Sequence, residues 1–142
     1  MAEQIPNIVL VEDNDFDVKR VERGFARLGQ DRRILRARDG VEALRIVRGE
    51  DEENLPQKPF VVMLDLNMPR MGGLEFLDEI RSDSQLRETP VFVVTTSDFH
   101  RDIRNAHARM ISGYIIKPDT AAEMITVLQA LDSFWTKCVF PE

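Results

Sequence analysis

A chain of 142 residues, 43% hydrophobic and 31% charged, is long enough to bury one core without metal or disulfide staples and too short for a separate output module beside it. The net charge of −6 excludes a general nucleic-acid binder, which would carry a basic face. No apolar run approaches a membrane span, Met1 to Pro6 lack a signal-like pattern, and the single Cys138 cannot pair within the chain, so a cytoplasmic protein without membrane or nucleic-acid contacts is expected.

Ile8-Val9-Leu10-Val11 is a short apolar run of the kind that fills a buried strand, and it ends in Glu12 and Asp13. Asn14 or Asp15 then offers a side-chain cap, after which Val18, Val21, Phe25 and Leu28 recur at helical spacing until Gly29. Ile34, Leu35 and Ala37 among arginines predict a weaker edge strand. Val41, Leu44 and Val47 predict a short helix between Gly40 and Gly49. The acidic, proline-punctuated residues 50–59 read as a surface insertion. Val61-Val62-Met63-Leu64 then delivers Asp65 to the carboxyl end of a central strand, the edge where open α/β sheets place their ligands.

Pro69 and the pair Gly72-Gly73 interrupt the chain before a helix marked by Leu74, Leu77 and Ile80. Val91-Phe92-Val93-Val94 is the next strand and runs into Thr95. Ser97 or Asp98 is the expected cap of a helix carrying Phe99, Ile103, Ala106 and Met110. Gly113-Tyr114-Ile115-Ile116 is the fifth strand, ended by Lys117-Pro118. Asp119 or Thr120 caps the last helix, whose apolar face holds Met124, Val127, Leu128, Leu131 and either Phe134 or Trp135. Strands alternating with helices predict an α/β fold with a doubly wound, five-stranded parallel sheet.

The residues just past the strong strands are Glu12 and Asp13, Asp65, Thr95 and Lys117. Carboxylates gathered at one sheet edge repel one another, and a divalent cation resolves the conflict. Mg²⁺, or Mn²⁺ in its place, takes one or two carboxylates, water and phosphate oxygens. Asp13 and Asp65 suit direct ligation, the backbone carbonyl of Asn67 can add an oxygen, and Glu12 can act through water. Phosphoryl transfer uses all these parts: Asp65 as nucleophile, Lys117 and the Thr95 hydroxyl on the phosphoryl oxygens.

The motifs Val11-Glu12-Asp13-Asn14, Leu64-Asp65-Leu66-Asn67-Met68-Pro69, Val94-Thr95-Thr96-Ser97 and Gly113-Tyr114-Ile115-Ile116-Lys117-Pro118 resemble the receiver domain of two-component response regulators. The intervals of 30 residues from Asp65 to Thr95 and 52 to Lys117 are similar to those of bacterial chemotaxis regulators. The resemblance implies a flavodoxin-like (βα)5 fold with strand order 2-1-3-4-5. It also implies phosphorylation of Asp65 by a sensor histidine kinase or phosphotransfer protein, a switch pair of Thr95 and Tyr114, and a cis Lys117-Pro118 peptide. Gly72 stands where the family often has aspartate, which puts entry into the following helix in question.

Residues 1–134 are expected to form the receiver domain and residues 135–142 a C-terminal extension. The aromatic pair Phe134-Trp135, the apolar tail and the long loop before Asp65 resemble single-domain regulators that partner phytochrome kinases. Phe134, Trp135, Val139 and Phe140 are therefore the expected contacts of a homodimer. His100 and His107 lack the further ligands of a zinc site and read as surface residues. Two rival functions are a Mg²⁺-dependent aspartyl-phosphate phosphohydrolase and a pseudo-receiver that only binds. Asn67 stands where such a hydrolase would want a second acid. The expected protein is thus a stoichiometric phosphoacceptor rather than an enzyme, with self-dephosphorylation left open.

Overall fold

The computed structural model of the protein describes residues 5–141. The first residues of the N-terminal stretch read above, and Glu142 of the C-terminal extension, lie outside them. Strands β1 (Asn7–Val11), β2 (Ile34–Ala37), β3 (Phe60–Leu64), β4 (Val91–Thr95) and β5 (Gly113–Ile116) pair in parallel in the order β2-β1-β3-β4-β5. Between and after them run α1 (Asp15–Arg27), α2 (Gly40–Val47), α3 (Gly73–Ser82), α4 (His100–His107) and α5 (Ala121–Trp135). Among the described residues no helix is long and apolar enough to cross a membrane.

Alternation along the strands divides the core in two. Val9, Val11, Val62, Leu64, Val91 and Val93 pack against Leu44, Phe76, Leu77 and Ala106, so α2, α3 and α4 cover that face. Ile8, Leu10, Val61, Met63, Phe92 and Val94 point the other way, onto Val18, Val21 and Phe25 of α1 and Met124, Leu128, Leu131 and Trp135 of α5. With helices on both sides, the central strands have no wet face, which is why they read as unbroken apolar runs.

The helix caps agree with expectation in α1 and α5 and differ from it in α4. Asn14 and Thr120 cap α1 and α5 through their side chains, and α2 is capped by Asp39, whose carboxylate accepts from Glu42 N at 2.9 Å. In contrast, α4 begins after Phe99 with no side-chain cap. Neither Ser97 nor Asp98, the two expected caps, fills that place, and Ser97 donates its hydroxyl to Asp102 at 2.6 Å. The loop after β3 places its left-handed residue at Arg70 (φ 62°), not at either glycine. Gly72 caps α3 at an ordinary φ of −74°. Gly73 is needed for closeness, since a Cβ there would stand 2.7 Å from the Asp65 carbonyl oxygen.

The C-terminal expectation needs correcting. Trp135 is the last residue of α5 and is fully buried, its ring 6.1 Å from that of Phe25 and 5.4 Å from that of Phe92. It completes the core of its own chain and is not a surface contact; burial of so large a ring outweighs anything it could gain at a rim. Beside it Arg32 pairs with Asp132 at 2.6 Å and lies over the Phe25 ring at 4.7 Å. Phe140 also folds back, against the α1/α5 core, whereas Phe134 and Val139 are 57% and 72% exposed.

Candidate functional site

The parallel strands deliver their last residues to one edge. Glu12 and Asp13 follow β1, Asp65 follows β3, Thr95 ends β4 and Lys117 follows β5. Carboxylate oxygens of Glu12, Asp13 and Asp65 lie within 4.8 Å of one another, with Asp13 exposed and the other two buried. Thr95 donates its hydroxyl to Asp65 Oδ1 at 2.7 Å, and the Asn67 backbone N–H donates to the same oxygen at 3.3 Å. The Lys117 ammonium reaches Glu12 Oε1 at 2.6 Å, Asp17 Oδ2 at 2.9 Å and Asp65 Oδ2 at 3.3 Å.

Burial drives the Glu12 carboxyl up to about 7, with the Asp65 charge adding to it and Lys117 and the Asn14 N–H opposing. Burial alone would lower Lys117, but its hydrogen bonds to Glu12 and Asp17 and the Asp65 charge outweigh that, so the lysine is pushed up and stays an ammonium. One cation for this many acids leaves negative charge in surplus. Three hard oxygen donors that crowd one another are what a divalent cation takes, so Glu12, Asp13 and Asp65 fit Mg²⁺ or Mn²⁺.

Tyr114, the expected partner of Thr95, reaches the loop that follows β4. Tyr114 donates its hydroxyl to the Ser97 carbonyl at 2.7 Å, and burial raises its pKa. The ring is thereby tied to the loop that follows Thr95, over α4. His107, read as a plain surface residue, stacks on it with ring centroids 6.4 Å apart. Lys117-Pro118 is not the cis peptide that the resemblance implied; among the described residues that bond is Lys58-Pro59. The ammonium reaches its carboxylates without it.

Sequence reasoning missed four residues here. Asp17 is a first-turn acid of α1, and nothing in the sequence marks it as a partner of Lys117. Arg36 donates to the backbone carbonyls of Glu12 at 2.9 Å and Asp13 at 3.2 Å, pinning the acidic loop. Arg70 and Asp39 pair at 2.7 Å and tie the loop after Asp65 to the start of α2. These partners come from distant positions, and only the strand order brings them together. A larger concavity, about 470 Å³, lies away from this chemistry, lined by Lys58, Pro59, Leu86, Pro90 and Phe140 among others.

Comparison with known proteins agrees with this geometry. Residues 8–129 match the response regulator receiver domain. The chain is 36% identical over 128 residues to the probable methanogenesis regulatory protein FilR2 of Methanothrix harundinacea, covering 90% of this chain and 82% of the relative. Its structure is similar to that of the phosphorylated cyanobacterial phytochrome response regulator RcpA, with a TM-score of 0.88, 30% identity and full coverage of both chains. It is likewise similar to the Mn²⁺-bound form of response regulator Rcp1, with a TM-score of 0.86 and 30% identity over 96% of this chain and 99% of the other. Fold, strand-end chemistry and sequence match converge: the chain belongs to the response regulator receiver domain family.

Proposed function

We propose that the protein signals by accepting a phosphoryl group on Asp65 from the phosphohistidine of a sensor kinase or phosphotransfer protein. The observation that carries this is the convergence on one carboxylate: Thr95 at 2.7 Å and Lys117 at 3.3 Å hold the two oxygens of Asp65, beside Asp13 and Glu12. A carboxylate oxygen of Asp65 attacks phosphorus, and a P–O bond forms as the donor's P–N bond breaks, its electron pair returning to the imidazole. Asp13, Asp65 and the Asn67 carbonyl would hold Mg²⁺ or Mn²⁺, with Glu12 acting through water. The ion supplies charge neutralisation on the phosphoryl oxygens.

Lys117 faces one phosphoryl oxygen and the Thr95 hydroxyl turns from the carboxylate to another. The Lys117 backbone N–H also donates to the Thr95 carbonyl at 2.8 Å, which joins the ends of β4 and β5 beside the site. The Thr95 shift pulls on the loop through Ser97, where Tyr114 is bonded, and phosphorylation biases that loop between two positions. Output passes through the surface of α4, β5 and α5.

The likeness to phytochrome regulators supports a phytochrome-type kinase as the phosphodonor in a cytoplasmic, single-domain pathway. A homodimer is part of the same reading, built on Phe134 and Val139, the exposed members of the tail. Phe134→Glu together with Val139→Asp converts dimer to monomer by light scattering; an unchanged mass removes the tail from the interface.

Intact-mass analysis after incubation with acetyl phosphate and Mg²⁺ tests the phosphoacceptor. A single-phosphate adduct is expected in the wild type and none in Asp65→Asn. No adduct would mean a binding module, and multiple-turnover phosphate release would mean a hydrolase.

A further inference from the structure

Lysine has three ammonium hydrogens to donate, and Lys117 spends them on three carboxylates: Glu12, Asp17 and Asp65. Two of these have another partner in prospect. Glu12 belongs to the acidic cluster with Asp13, and Asp65 is the nucleophile. Asp17 stands outside that cluster, so it is the carboxylate that remains to Lys117 once metal and phosphate arrive.

Local structure explains why Asp17 is available. With Asn14 as the cap, Asp17 is the third residue of α1, and an acid there ordinarily reaches back to the backbone N–H of the cap residue. In this chain Glu12 Oε2 accepts from that N–H instead, at 3.2 Å. Asn14 Oδ1 accepts from the Asp17 N–H at 3.0 Å and fixes the backbone. The Asp17 carboxylate is left to cross the domain to β5, with Arg20 3.9 Å from its other oxygen.

We propose that Asp17 is a positioning residue for phosphoryl transfer: it anchors the Lys117 ammonium over Asp65 while Glu12 turns to the metal and Asp65 takes the phosphoryl group. A lysine stem is flexible, and without an anchor the ammonium would be drawn after Glu12 or into solvent. This inference rests on the phosphoacceptor reading of Asp65. It adds a role in that reaction for a residue outside the acid cluster.

The test compares phosphorylation rates with acetyl phosphate at saturating Mg²⁺ in the full chain, for wild type, Asp17→Ala, Lys117→Ala and the double variant. Asp17→Ala slows the reaction roughly tenfold, short of the roughly hundredfold cost of a 1 Å misplacement, because the lysine is loosened and not removed. In the Lys117→Ala background the same change has no further effect, because Asp17 acts through the lysine. The Mg²⁺ dissociation constant of Asp17→Ala, read by calorimetry without any phosphodonor, stays at the wild-type value. A rate equal to wild type, an equal loss in both backgrounds, or weakened Mg²⁺ binding each overturns the proposal. A wild type that takes no phosphate defeats the phosphoacceptor reading instead.

Discussion

Lys117 and Arg32 are both nearly buried cations, with side chains 10% and 1% exposed, but their surroundings are charged differently. Arg32 faces one carboxylate, Asp132, and its guanidinium lies over Phe25 and Trp135 at 4.7 and 5.5 Å. That cluster is balanced by its own chain. Lys117 faces three carboxylates, with Asp13 close behind. A stable fold gains nothing from such a surplus, since like charges destabilise one another. The difference separates a cluster that locks α5 onto the domain from one whose acids could take a divalent cation.

Removing one member of each cluster should therefore have opposite character. Asp132→Ala leaves the Arg32 guanidinium buried without its carboxylate, and we expect a loss of about 3–5 kcal/mol of unfolding free energy in urea. Replacing both partners, Arg32→Met with Asp132→Leu, should recover most of it, because a well-packed apolar pair needs no charge partner. If Asp132→Ala unfolds at the wild-type midpoint, the pair is not the lock described.

The acidic cluster should respond to metal rather than to truncation. At Mg²⁺ about a hundredfold above its dissociation constant, the wild type should gain about 2.7 kcal/mol of stability, read as a raised melting temperature that chelation reverses. Asp13→Asn should lose that gain while melting no earlier than wild type without metal, since it removes one of the crowded charges. Asp132→Ala should keep the gain on a lower baseline. A Mg²⁺ shift that survives Asp13→Asn would place the ion elsewhere.

The strand-end cluster was legible in the sequence because its members stand at or just past the ends of apolar runs, and a parallel sheet must bring such positions to one edge. Asp13, Asp65, Thr95 and Lys117 needed only that rule. Asp17 and Arg36 were illegible because their partners are 100 and 24 residues away, and no local pattern records such a contact. Trp135 was misjudged for a related reason: an aromatic at a helix end can face core or solvent, and the rotation of α5 decides. The strand interiors were the easiest, since burial on both faces allows little else.

A third ion pair grades the comparison and should show the smallest effect. Asp39 is buried, but its partner Arg70 is 61% exposed, so water screens what the pair contributes. Arg70→Ala should lower the urea midpoint at pH 7 only slightly, because the exposed guanidinium is screened by water. Its pH dependence identifies the source. Burial raises the Asp39 carboxyl, but the hydrogen bonds from Arg70 and from the Glu42 N–H outweigh it, and its pKa is held below the ordinary aspartate range. A depressed folded pKa stabilises above the unfolded value and loses that stabilisation as pH falls through the folded one. The gap between wild type and Arg70→Ala in urea midpoint should therefore be full at pH 7 and shrink toward pH 3. A gap that stays constant into acid would mean that Arg70 acts through its backbone conformation, and the Asp39 carboxylate would then be a cap for α2 and nothing more.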